Sequence, residues 1–109
     1  MPGTIIDMHL HTTKGASDSM LDPDELIAEA TRVGLTGVNI TEHDRMWESW
    51  DLNPFRKKHA DMFVNNGMEV STDMGHILAI GLKGYASGIR RLEKLREIAD
   101  EQGAFLVVA

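Results

Sequence analysis

Apolar and polar positions alternate along the 109-residue chain in two different periods, and the switching between them predicts strands and helices in turn. In residues 4–10 the apolar positions Ile5, Ile6, Met8 and Leu10 mark a first strand. Residues 11–21 are small and polar and form a loop. Asp22-Pro23 then opens a helix. An aspartate caps free N–H groups, a proline suits the first helical position because its missing N–H needs no partner there, and Glu25 completes a capping box. Leu26, Ile27, Ala30 and Val33 recur at helical spacing as one apolar stripe, and Gly34 suits the stop. Residues 36–40 form a short buried strand that runs into Thr41-Glu42-His43-Asp44.

Residues 45–52 are ambiguous. Asn53-Pro54 has the form of another helix start, which predicts a helix to about Asn65 with Gly67 as its stop. Residues 68–72 and 76–82 are two strands joined by the tight Asp73-Met74-Gly75 turn. Residues 88–102 form a helix that turns Ile89, Leu92, Leu95 and Ala99 inward, and Gly103 closes it. Residues 104–108 begin a further strand, apolar enough to lie buried among parallel neighbours in mid-domain. The alternation predicts an α/β fold with a parallel sheet or barrel, as one domain over residues 1–109. The apolar ending leads us to expect a truncated sequence.

Composition narrows the function. Hydrophobic residues make up 42% and charged residues 26%, as in ordinary soluble globular domains. No apolar run approaches the ~20 residues that span a bilayer. The start MPGTIIDMHL lacks a basic segment and a small-residue cleavage site, so no signal peptide or membrane partner is expected and a cytoplasmic setting is the default. Cysteine is absent, which excludes disulfides, thiolate nucleophiles and zinc–thiolate sites and leaves histidine and carboxylate as metal ligands. A net charge of −6 argues against a broad surface for nucleic-acid backbone. A bound divalent ion reverses the sign locally, so phosphate stays compatible with an acidic chain.

Chemistry gathers at predicted strand ends. His9 and His11 sit two residues apart at the end of the first strand, on one face, where two imidazoles can converge on one ion or merely bond nearby carbonyls. His43 also lies just past an apolar strand. Its neighbours Glu42 and Asp44 stand as ligands, as groups orienting an imidazole, or as solvent-facing charges, and Asp44 suits the orienting role better than ligation. Glu69 interrupts a run of apolar and small residues, where a carboxylate is costly unless paired or ligating. Metal bridging is favoured for it over an exposed edge position. His76 is a ligand or a turn histidine, and its nearness to Glu69 across the hairpin favours ligation. Asp18 by itself is an ordinary turn former. His59 reads as a surface residue, the seven methionines as core filler, and Trp47 and Trp50 as packing in the irregular segment. No serine has a nucleophile-elbow context, and no glycine motif cradles phosphate.

With these residues in place, the chain resembles the PHP domain, the polymerase and histidinol phosphatase family of metallohydrolases. The resemblance covers essentially all of the chain and rests on D-M-H-L-H-T (7–12), S-D-x-x-x-x-P-x-E-L (17–26), I-T-E-H-D (40–44), G-M-E-V-S-T (67–72) and G-H-I-L (75–78). It implies the amino-terminal half of a distorted (β/α)7 barrel with two or three divalent ions, manganese, zinc or iron, at the strands' carboxyl ends. It further implies His9 and His11 on one ion, Glu69 bridging to a second that His76 also binds, and Asp18 with His43 on a third. The implied reaction is hydrolysis of a phosphorylated small molecule or nucleotide by metal-bound hydroxide, with no protein nucleophile. The family's His-Pro histidine and late Asp-x-His are missing from the sequence, so the isolated chain is expected to be weak or inactive unless the missing half or a second chain completes it. A catalytically silent metal-binding or assembly module is the alternative.

Overall fold

The computed structural model describes residues 3–14 and 21–109. Its elements are β1 (Ile6–Leu10), α1 (Pro23–Arg32), β2 (Gly37–His43), α2 (Ser49–Lys58), β3 (Phe63–Thr72), β4 (Gly75–Ile80), α3 (Leu92–Gln102) and β5 (Phe105–Val108). The strands form one sheet in chain order. β1, β2 and β3 run parallel, β4 turns back antiparallel to β3, and β5 is antiparallel to β4. The result is an α/β fold whose mixed sheet curls as part of a barrel.

All three helices cover the same face of that sheet. Val38 and Ile40 of β2 and Val64 of β3 pack with Leu26, Ile27 and Ala30 of α1 and Leu52 and Phe55 of α2. Met68 and Val70 of β3, with Ile77 and Ala79 of β4, pack with Leu95 and Ile98 of α3. Because strand side chains alternate, the intervening residues Asn39, Thr41 and His43 of β2 and Asn65, Gly67 and Glu69 of β3 point to the opposite, concave face. The sheet therefore separates an apolar layer from a polar one.

Local chemistry accounts for the ends. Asp22 caps α1, its carboxylate accepting from the Asp24 and Glu25 amides, with Pro23 in the first turn. Gly34 takes the left-handed conformation (φ 88°) that releases the chain into β2. In β3, a methyl group on Gly67 would meet Asn39 Oδ1 at 2.6 Å, so glycine lets the buried Asn39 side chain lie flat against the strand. Among the described residues, no helix is long and apolar enough to cross a membrane.

Several expectations need correction. Residues 63–67 are the first half of β3, not a helix end, and α2 spans Ser49–Lys58 with Pro54 inside it. Asn65 and Asn66 suit the end of a helix before Gly67, but the fold gives their amides partners in a central strand. Asn65 donates to Asn39 Oδ1 (2.7 Å), and Asn66 accepts from the Trp47 amide (3.0 Å) and donates to its carbonyl (2.9 Å). β5 is not a buried parallel strand: it pairs antiparallel at the edge and exposes Phe105, Val107 and Val108. Val33 is exposed, because α1 ends before that position completes the stripe. His59 is no free surface residue: it caps the end of α2, its ring tilted against Phe55 at 4.7 Å, and it pairs with Asp24 at 2.7 Å.

Candidate metal centre

The centre is built on an irregularity in β1. Between Asp7, opposite Val38, and Leu10, opposite Ile40, β1 advances three residues while β2 advances two. That extra residue shifts the alternation, so Leu10 packs against the apolar layer while His9 and His11 both face the concave side. A bulge leaves backbone groups unpaired, and side chains of β2 take them up. Asn39 donates to the Met8 carbonyl (3.1 Å), and the Thr41 hydroxyl bonds both the amide and the carbonyl of Leu10 (3.1 Å each).

β2, β3 and β4 bring the remaining groups to the same edge of the sheet. His43 ends β2 directly opposite Glu69. His76 enters from the start of β4, paired with Ser71, because the hairpin reverses direction. Glu69 is the hub, only 3% exposed. Its Oε1 lies 2.6 Å from His9 Nε2, 2.8 Å from His11 Nε2 and 4.0 Å from His43 Nδ1, and its Oε2 lies 2.5 Å from His76 Nδ1. The His11 and His43 rings stack at 4.1 Å, and His9 meets His11 edge to face at 5.1 Å. The donor atoms fall into two overlapping groups, His9–His11–Glu69 and His43–Glu69–His76, each close enough to share one ion.

Burial pushes the Glu69 carboxyl up, but the hydrogen bonds from His76 and His9 and the charges of His9 and His11 outweigh it and hold it at about 2, below its usual 4.5. A carboxyl lowered by folding stabilises the fold fully above its unfolded value, and that contribution is lost as pH falls through the folded value. For Glu69 the window runs from 4.5 down to about 2, and the difference corresponds to about 3 kcal/mol. Urea unfolding of the metal-free protein across this window should show stability falling with acidification, and a Glu69→Gln variant should lack that part of the slope. Equal slopes in both proteins would contradict this account.

Five of the six sequence-predicted ligands, His9, His11, His43, Glu69 and His76, thus meet in one cluster. Asp18 lies outside the described residues. Asp44, expected to orient an imidazole, accepts the Ser71 amide (2.8 Å) and donates its own amide to the Glu69 carbonyl (2.9 Å), at a positive φ of 54°. It fixes the strand that carries Glu69. Sequence reasoning left Glu42 unresolved among three roles. Glu42 is fully buried behind the cluster, with its carboxylate accepting from Thr12 N (3.0 Å), Thr12 Oγ1 (2.5 Å) and Trp47 Nε1 (2.9 Å). Its signal in sequence was parity: it continues the apolar side of Val38 and Ile40.

The donor set suits divalent ions. Imidazole nitrogens and a carboxylate match zinc, manganese or iron, and a buried carboxylate whose two oxygens face donors on different strands can serve two ions at once. No protein-family model matches the chain, and no curated protein matches it significantly. Among solved structures, it is similar to a crystallised Bifidobacterium adolescentis protein assigned as a metal-dependent phosphoesterase, with a TM-score of 0.63 and 25% identity. The match covers 82% of this chain and 32% of that one, so the chain spans about a third of that protein's length.

Proposed function

We propose that this chain is the metal-holding portion of a PHP-type phosphoesterase, the amino-terminal part of a (β/α)7 barrel that hydrolyses a phosphorylated small molecule or a nucleotide ester. The observation that carries the reading is the shared carboxylate: two donor groups from four strands overlap at Glu69. His9, His11 and Glu69 would hold one ion, Glu69 and His76 a second, and His43, with Asp18, a third. The similarity to a protein assigned as a metal-dependent phosphoesterase supports the same reaction class.

When bound, such ions polarise phosphoryl oxygens and lower the pKa of water. The chain's own residues prepare the site for this. His9 Nε2, His11 Nε2 and His76 Nδ1 already face Glu69, so ligation requires these nitrogens to release any proton they carry toward the carboxylate, and binding weakens on acidification. Neutral imidazoles around one carboxylate leave the loaded site net positive, which attracts phosphate in an otherwise acidic chain.

Metal content, calorimetry with manganese, zinc and iron(II), and assays on a chromogenic phosphate ester and a nucleotide test the reading. At least two ions should bind per chain. Turnover by the 109-residue chain should be slow, because the cluster lies on a sheet face that no helix covers among the described residues and the chain spans a third of its structural neighbour. Failure of all three metals to bind at millimolar concentration would overturn the proposal. The exposed apolar edge of β5 favours the second reading, a silent metal-binding or assembly module. Metal binding with no turnover by the full-length gene product would establish that one.

A further inference from the structure

Asp44 directly follows His43, and its contacts have no part in the metal reading. Among the described residues it is the one non-glycine residue at positive φ, 54°, so the chain turns out of the sheet one residue beyond β2. Its amide still continues the parallel ladder, donating to the Glu69 carbonyl at 2.9 Å. In a parallel pair the next bond would run from the Ser71 amide to the Asp44 carbonyl. The carboxylate takes that amide instead, Oδ1 accepting from Ser71 N at 2.8 Å. One side chain thus extends the β2–β3 ladder past the His43–Glu69 pair after the backbone has left it. Ser71 in turn sits opposite His76 of β4. Asp44 therefore brackets Glu69 and ties together the three strands that carry His43, Glu69 and His76. Strand β1, with His9 and His11, lies across β2 from this clamp.

We propose that Asp44 is the positioning residue for one half of the centre: its clamp on residues 69–71 sets the spacing of His43, Glu69 and His76. This rests on the metal reading above and adds the group that holds these donors in place. Tight sites depend on contacts behind the ligands as well as on the ligands themselves. The other half has its own support, because Asn39 and Thr41 tie the backbone of β1 beside His9 and His11. The side chain required at position 44 is short, accepts a hydrogen bond and tolerates left-handed backbone, which means aspartate or asparagine. The role uses an oxygen as acceptor and does not use the charge. Asparagine should therefore fill it, and glycine, which permits the φ but offers no acceptor, should not.

Zinc calorimetry on the 109-residue chain and its Asp44→Asn and Asp44→Gly variants tests this, with ring-nitrogen NMR showing which histidines are bound. Asp44→Asn should keep wild-type affinity. Asp44→Gly should weaken the event that engages His43 and His76 about 10- to 100-fold, the range for loss of a group behind a ligand, and affect the His9–His11 event less. A folded Asp44→Gly chain with wild-type affinity overturns the proposal, and so does equal weakening of both events, which marks a general loss of structure. Asp44→Asn behaving like Asp44→Gly overturns it too, because the charge would then matter and the hydrogen bond would not. If Asp44→Gly fails to fold, amide exchange in the metal-free wild type decides: the Ser71 amide should be protected, and exchange at the rate of an open chain overturns the clamp. These outcomes leave the metal centre standing, whereas absence of zinc binding by wild type removes both the positioning role and the reading beneath it.

Discussion

Glu69→Gln should abolish tight binding together at the two ion positions that Glu69 joins, with a loss beyond the roughly 10–100-fold that removing a supporting group brings. The amide keeps the shape and one oxygen, but it cannot offer two anionic oxygens to two groups of imidazoles. His9→Ala, by contrast, removes a donor from one group and leaves His43, Glu69 and His76 together. Calorimetric titration with zinc or manganese reads the difference: one weak residual event in the hub variant, a surviving tight event in the histidine variant. If Glu69→Gln loses one event and keeps the other unchanged, the shared-carboxylate arrangement is wrong.

That hub was legible in sequence because a carboxylate among Met68, Val70 and Ser71 has no inexpensive explanation in a strand. His9, His11 and His76 were legible for a related reason, as paired or neighbouring donors at strand ends. The bulge in β1 was not. Nothing in I-D-M-H-L announces an extra residue, since the bulge is made affordable by Asn39 and Thr41 some thirty positions away. The same applies to the first half of β3. Phe63 to Gly67 carries two asparagines and a glycine, local signals for a helix ending rather than for a strand. The competing term is tertiary: Asn39 and Trp47 satisfy the asparagine amides, and no local rule contains those partners. Glu42 was ambiguous because burial, not residue type, decides whether a carboxylate beside a histidine is solvated or confined. The direction of β5 was missed because an apolar run tells that a strand packs, not with which orientation.

Trp47→Ala should destabilise the metal-free chain by about 3–5 kcal/mol, the usual range for emptying a buried aromatic site. Small domains are stable by only about 5–15 kcal/mol, so this consumes much of the total. Trp47 is buried, lies edge to face with Phe55 at 5.0 Å and donates its indole N–H to Glu42. Truncation therefore opens a cavity and strips a donor from a buried carboxylate in one step. Trp47→Phe, which fills most of the space and removes only the donor, should cost about 1–3 kcal/mol. Urea unfolding followed by circular dichroism measures both, and a Trp47→Ala cost below that of Trp47→Phe would refute the packing account. Trp50, 71% exposed three residues on, serves as the neutral comparison.

The reversal between β3 and β4 separates the cluster into parts of unequal reach along the chain. His76 and Glu69 are seven residues apart across a hairpin, whereas His9 must travel sixty to meet the same carboxylate. Closing the longer loop costs about 2 kcal/mol more in chain entropy, and hairpins form within roughly microseconds. The 69–76 pair is therefore the part of the cluster with the lower closure cost, and stopped-flow folding should show a His76→Ala change acting on earlier contacts than a His9→Ala change.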